Sequence, residues 1–435
     1  MHRWELALQA FCEFGPKPLF LNAIYHLGLR SGVFSQIPRV LKADELLASE
    51  IYQLKDIFAL PGPLELEAVM GKSGLANLIC TADEIVAGHV RLFGGQPQPL
   101  NLVPAGELQH WTAYELGKAR VQVPHGDIKF IWEPCRFGWA FILGRAYHVT
   151  QDESYAAAFW TSFETFNRHN PPFQGPNWAS AQEVALRLIA LVFAGQVFAA
   201  SEHSTSHRRL QLGQAIAYHA QRIPPTLMYA RAQNNNHLLS EATGLFTAAL
   251  ALPLHPLAPR WQKLGWNWFQ TGIHKQVTPD GVYIQHSTNY HRLMLQLALW
   301  MDMLCRQQDL ALSETSRERL AAATRWLLVL SDPVSGRVPN LGANDGAYIL
   351  PLSLQPFEDY RPVMQAAGMA FLHKQPLQAG AWDEMSLWFG LDSSIGEEKR
   401  VVEPALELAA LERKIGVVRH PQKATSWAYL RLADF

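Results

Sequence analysis

Residues 180–200 read "SAQEVALRLIALVFAGQVFAA". Apolar residues recur three and four apart, which is the period of one face of an α-helix. Ser180 stands three residues before Glu183, the spacing of a capping box at a helix start. Glu183 and Arg187 are one turn apart, as a structural ion pair would be. The same periodicity recurs at roughly 131–149, 152–168, 207–222, 237–252, 258–276, 290–307 and 315–331. Short polar or proline-containing links such as "NPPFQGPNW" and "ALPLHPLAP" separate most blocks. Strand signals are nearly absent from this region. Eight or more consecutive amphipathic helices must bury their stripes against one another. No fixed sequence period marks a solenoid. The alternative is a closed or partly closed ring of helical hairpins with a central cleft lined by loops at one end.

The flanks differ. "HRWELALQAFCEF" and "FLNAIYHLGLRSGVF" read as helices that end at glycine-containing breaks. "PGPLE" and "FGGQPQPLNLVPAG" read as loops. Near residue 400 the character changes, and "ERKIGVVRH" and "SWAYLRLADF" read as strands. The expected organisation is an irregular or helical segment over 1–100, a helical ring over 101–398 and the first strands of a β domain over 399–435.

The chain has 435 residues, is 49% hydrophobic and carries a net charge of −1. A large core is therefore expected, and there is no global basic field to gather nucleic acid. Cys12, Cys80, Cys135 and Cys305 are scattered, without the spacing of a metal or redox motif. No window reaches the ~18–20 apolar residues of a membrane span. Glu5 and Glu13 interrupt the N-terminal apolar stretch, so no secretory signal is read and a cytoplasmic location is expected. No metal or cofactor is expected, and the oligomeric state is not set by the sequence.

Several segments place polar residues where helices begin. In "DIKFIWEPCRFGWAF" (127–141), Glu133 and Arg136 have the spacing of a helix-face ion pair. In "NPPFQGPNWASAQEVALRL" (170–188), Trp178 is either a platform for a sugar ring or a plug beneath the loop. "RAQNNNHLLSEATG" (231–244) holds three asparagines, of which Asn236 is placed to cap a helix beginning at His237. Glu241, one turn on, is placed to hold one imidazole nitrogen of His237. The helix dipole there favours a neutral histidine. "TPDGVYIQHSTNYHRLMLQLALW" (278–300) gathers Tyr283, His286, Tyr290 and His291 at the mouth of an apolar helix. "VPNLGANDGAYILPL" (338–352) carries Asn344 and Asp345 in a turn-rich loop.

Asn, His and Tyr without a persuasive carboxylate pair suit β-elimination of a uronic-acid polysaccharide. Hydrogen-bond donors, Asn and a protonated or neutral His, mask the carboxylate, a base removes the adjacent proton and an acid protonates the leaving oxygen. Glycoside hydrolysis would instead need two carboxylates across the cleft. A glycoside hydrolase on a similar ring and a non-catalytic glycan-binding protein stay open as alternatives.

Five stretches, "DIKFIWEPCRFGWAFILGRAYHVTQDESYA", "NPPFQGPNWASAQEVALRLIALVFA", "NNNHLLSEATGLF", "DGVYIQHSTNYHRLMLQ" and "LGANDGAYILPL", together resemble the heparinase II/III family of polysaccharide lyases, in that family's order. The resemblance covers roughly residues 80–435. It implies an incomplete (α/α) toroid followed by an antiparallel β-sandwich, here represented by its first strands. It also implies elimination on an acidic polysaccharide such as heparan sulfate or alginate. By the same resemblance, Asn236 neutralises the substrate carboxylate, His237 assists that neutralisation or acts as base, and Tyr290 is the general acid, in some members the base too. Glu241, Trp178, Arg136, Tyr283, His291 and Asn344 are the accompanying substrate-site candidates. Family members are often exported, which leaves a periplasmic or secreted location as the alternative. The family draws a further histidine from its β domain, so a chain ending at Phe435 is expected to turn over substrate weakly or not at all by itself.

Overall fold

The computed structural model describes residues 15–36 and 49–391, except 122, 124, 125, 345 and 347, together with the backbone of two strands at 416–419 and 426–429. The chain divides into two compact units, Met1–Asp392 and Ser393–Phe435. The helix expected at "HRWELALQAFCEF" lies outside the described residues.

The first unit begins with α1 (Pro16–Arg30) and α2 (Pro63–Val86). A small antiparallel hairpin follows, β1 (His89–Arg91) with β2 (Pro97–Pro99), in a stretch expected to be loop alone. Then come α3 (Lys129–Cys135), α4 (Gly138–Thr150), α5 (Glu153–His169), α6 (Ala181–Val197) and α7 (Ser206–Arg222). They are followed by α8 (Leu227–Gln233), α9 (Asn236–Ala251), α10 (Ala258–Gln276), α11 (Thr288–Gln307), α12 (Glu314–Leu330), α13 (Arg361–Leu372) and α14 (Glu384–Trp388). The second unit contributes β3 (Gly416–Arg419) and β4 (Ser426–Tyr429), antiparallel with Gly416 opposite Tyr429. Both strands fall inside the stretches whose composition predicts them.

Local chemistry sets the helix starts. Asp152, Thr205, Ser287 and Ser313 cap α5, α7, α11 and α12 with their side-chain oxygens. The helix expected over 131–149 is two, divided at Phe137, which has a left-handed φ of 63°. Pro134 and Gly138 flank the break. The ring of Phe137 is fully buried against Trp139 and Phe166, and that packing offsets the cost of the backbone conformation.

The helices form two layers. α4, α6, α9, α11 and α13 touch one another in series as an inner layer. α5, α7, α10 and α12 lie outside, each paired with the inner helix beside it in sequence. The inner helices are buried almost throughout, including Val184–Ala194 of α6 and Leu238–Ala251 of α9. The outer helices keep one exposed face, as this division requires. This is an incomplete (α/α) toroid. The hairpin of α9 and α10 is especially close: a Cβ at Gly265 would come within 2.6 Å of the backbone of Ala242 and Phe246. The first helices belong to the same unit, with α2 packed on α4 and α5 and α1 on α8. A buried ion pair joins α4 to α14. Arg145 donates to both carboxylate oxygens of Glu384 at 2.7 and 2.6 Å, and to the carbonyl of Pro351.

Candidate active site

The three asparagines have three different jobs. Asn234 ends α8 in a left-handed conformation, φ 48°, which asparagine tolerates better than most residues. Asn235, and not Asn236, caps α9, its Oδ1 accepting from the backbone of His237 at 3.1 Å. The expected cap is thus displaced by one residue. Asn236 enters the first turn of the helix and is 3% exposed. Its Nδ2 donates to Oε1 of Gln182 at 2.9 Å, and its backbone N–H donates to Oε1 of Gln285 at 3.0 Å. Gln276 supports the same turn, donating to the carbonyl of Asn235 at 2.9 Å.

His237 follows on the same turn and is partly exposed. Burial holds its pKa down to about 4; the carboxylate of Glu183 opposes that shift and the guanidinium of Arg136 adds to it. The ring is neutral at pH 7. Glu183 and Arg136 therefore lie close enough to act on this histidine.

Arg136 is the hub of that neighbourhood. It donates from Nε and Nη2 to both oxygens of Glu183, at 2.5 and 2.8 Å, and from Nη1 to Glu133 and to the carbonyl of Gly346 at 2.6 Å. The expected Glu133–Arg136 pair is present. The expected Glu183–Arg187 pair is not, because Arg136 from another helix takes the carboxylate in a two-pronged geometry. For the same reason the capping box at Ser180 does not form, and the Ser180 side chain makes no cap bond. Arg136, read from the sequence as an ion-pair partner and by resemblance as a substrate-site candidate, is an anchor between α3, α6 and the 340s loop.

Tyr290 sits in the first turn of α11, partly exposed, with its backbone N–H capped by Ser287 Oγ at 3.1 Å. Ser287 Oγ also donates to the carbonyl of Ala343 at 2.6 Å, and Thr288 Oγ1 to that of Pro339 at 2.9 Å. The 339–346 strap is thereby tied to the Tyr290 turn at one end and to Arg136 at the other. Asn344 is exposed on that strap. Asp345 lies outside the described residues. A cavity of about 330 Å³ adjoins Glu133 and is lined by Phe93, Trp139, Tyr348 and Phe357 among others. A larger one, about 610 Å³, lies elsewhere, beside Tyr52, Gln196 and Arg209, away from these groups.

Four expected substrate contacts are buried and support the site from behind. Trp178 is 2% exposed, its indole N–H on the carbonyl of Asn170 and its ring against His219; of the two readings it is the plug. Tyr283 is 1% exposed and donates to Gln276 at 3.1 Å. Burial, with the nearby Tyr290 adding, raises its phenol far above neutral pH. His291 is a core histidine, 1% exposed, bonded to the carbonyl of Ala323 at 2.9 Å and stacked on Trp326. Glu241 is 2% exposed and the described hydrogen bonds include none to His237. Burial pushes its pKa up to about 8, with Arg222 opposing and Glu115 adding. It faces those groups and does not orient the histidine.

Sequence reasoning passed over Gln182, Gln276 and Gln285, because glutamine carries no motif. It also passed over Arg222, and it read Arg187 only as a partner for Glu183. Arg187 holds the carbonyls of Cys135 and Asn177, and Arg222 those of Trp178 and Ala179. Together they fix the loop that leads into α6. Among the described residues, metal-ligand spacing occurs at Glu153, Glu202 and His203, on α5 and the loop before α7, and not in this cluster.

Residues 110–332, just over half the chain, match the family model described as heparinase II/III N-terminus. The chain belongs to the heparinase II/III family. It is 28% identical over 181 residues to a heparin-sulfate lyase of Pedobacter heparinus, covering 40% of this chain and 27% of that one. It is 26% identical over 159 residues to a heparin-sulfate lyase of Bacteroides thetaiotaomicron, covering 36% and 22%. Among solved structures it is similar to heparinase III (TM-score 0.47, 18% identity, 70% of this chain and 46% of that) and to heparan sulfate lyase HepC from Pedobacter heparinus (TM-score 0.45, 20% identity, 71% and 45%). The matches span less than half the length of each of these relatives.

Proposed function

We propose that this chain forms the helical part of a lyase that cleaves a uronic-acid polysaccharide, heparan sulfate or alginate in kind, by β-elimination. One observation carries the reading within the family. Both carboxylates of the cluster, Glu133 and Glu183, are bonded by Arg136, and the groups left beside them are the amide of Asn236 and a neutral His237. Uncharged donors suit the masking of a substrate carboxylate, which makes the proton at the neighbouring carbon easier to remove. A neutral imidazole is also the form that accepts a proton. Tyr290, in the first turn of the adjoining inner helix, is the residue we assign as the acid for the leaving glycosidic oxygen. Hydrolysis by paired carboxylates is disfavoured, since both acids of the cluster are occupied by one arginine. The relatives named as heparin-sulfate lyases point to the same substrate class.

The test is to incubate the protein with heparan sulfate, alginate and other uronate polymers and follow unsaturated uronate by its ultraviolet absorbance. Tyr290→Phe is expected to lower turnover by about 100-fold or more with oligosaccharide binding largely kept. Products without the double bond would establish hydrolysis instead. Binding with no product from a version that also carries the family's β domain, and no effect of Tyr290→Phe on it, would establish a glycan-binding module.

A further inference from the structure

An asparagine that masks a carboxylate must present an N–H, because its carbonyl oxygen would repel the ligand. The two ends of an amide have nearly the same shape, so an uncommitted amide offers either. Asn236 is committed. Its Nδ2 donates to Gln182 Oε1 at 2.9 Å, between groups that are 3% and 6% exposed. Gln182 lies in the first turn of α6, next to Glu183, which Arg136 grips with two hydrogen bonds. The backbone of Asn236 is held separately, its N–H on Gln285 and its carbonyl accepting from Ser240 Oγ at 3.0 Å. The side chain therefore has one remaining freedom, the amide flip, and Gln182 is the described hydrogen-bond partner that bears on it.

We propose that Gln182 is a positioning residue for elimination: by accepting one Nδ2 proton of Asn236, it fixes the amide with the second N–H, and not the oxygen, available to the substrate carboxylate. This rests on the lyase reading above. It also accounts for the residue type. A glutamate at 182 would accept the same proton but add a negative charge beside Glu183 and near an acidic substrate. A methionine would fill the space without an acceptor and release the flip.

The experiment compares Q182M, Q182E, N236A and the double variant Q182M/N236A in the full 435-residue chain. Three quantities are read: elimination kinetics, calorimetric affinity for heparan sulfate oligosaccharides, and exchange of the asparagine side-chain amide protons in ¹⁵N-Asn-labelled protein. The Asn236 pair is recognised by its loss in N236A. Q182M is expected to lower kcat about tenfold or more with KM changed less than about threefold. Adding Q182M to N236A is expected to cost nothing further, since the first acts through the second. The Asn236 amide is expected to exchange at least about tenfold faster in Q182M. Q182E should keep that protection while losing affinity. Multiplicative losses in the double variant, or unchanged exchange in Q182M, overturn the proposal. If the wild-type chain neither yields unsaturated product from any uronate polymer nor binds uronate oligosaccharides, the lyase reading falls, while the exchange measurement still decides whether Gln182 holds Asn236.

Discussion

Adjacent asparagines with the same side chain are separated here by backbone geometry into a cap and a buried amide donor. Asn235 spends its oxygen on the helix N-terminus, whereas Asn236 spends its amide on Gln182. Their substitutions should therefore diverge. Asn235→Ala is expected to cost about 1 kcal/mol of stability, read as a lowered denaturation midpoint. Asn236→Asp should bind acidic oligosaccharide far more weakly, because a carboxylate cannot donate and repels the ligand, and titration calorimetry checks this. Equal loss of stability and equal affinity in the two variants would contradict the division. The residue types of this site were legible in the sequence, because Asn, His and Tyr clustered at helix starts suit one chemistry. Their exact duties were not, since one residue of displacement in a helix cap changes which side chain turns inward. Arg136 shows the same limit. Its partner Glu183 lies 47 positions away, and no local spacing can announce that bond over the nearer Glu183–Arg187 pair.

Helix boundaries were well marked in α7 over 206–222, where period and the Thr205 cap agree, and in α10 over 258–276, which has no side-chain cap but a proline in its first turn. They failed where tertiary packing overrode local preference. At Phe137 a buried ring holds a left-handed residue between two helices that read as one. The layered arrangement also places demands that periodicity hides. Gly265 lies against the backbone of α9 at Ala242 and Phe246. Gly265→Val is expected to force α9 and α10 apart and cost roughly 1–3 kcal/mol or more, by the usual penalty of overpacking. Urea denaturation monitored by circular dichroism checks it, and a variant as stable as the parent would show that the hairpin is looser than its geometry. Because α9 begins with Asn236, that displacement should also weaken substrate binding, although Gly265 lies on the outer helix.

The assembled molecule holds histidines that must stay neutral, His219 and His291 buried and His237 partly exposed. His291 and His237 are held near pKa 4 chiefly by burial, and His219 well below its ordinary value by burial and by Arg187. Each binds a proton more readily in the unfolded chain than in the fold. Stability is thus expected to be full above about pH 6.5, the ordinary histidine value, and to fall as pH drops from there towards 4. Glu241, raised to about 8, acts in the opposite sense, and its contribution is lost as pH rises from about 4.5 towards 8. Thermal unfolding across pH 4–7 should show the acid loss, and His291→Phe, which removes one such group, should flatten it. A melting temperature that does not change between pH 6.5 and 4.5 would refute the assignment of neutral buried imidazoles.

The bridge between Arg145 and Glu384 spans 239 positions of sequence. On a ribosome adding about 5–20 residues per second, roughly 10–50 s pass between the synthesis of the arginine and that of its acid. For that interval α4 has its hairpin partner but not its counter-charge, and its guanidinium must remain hydrated. The nascent toroid can therefore lay down its inner helices in order and still leave one seam wet. Closure of that seam must wait until the chain has been made at least as far as residue 384.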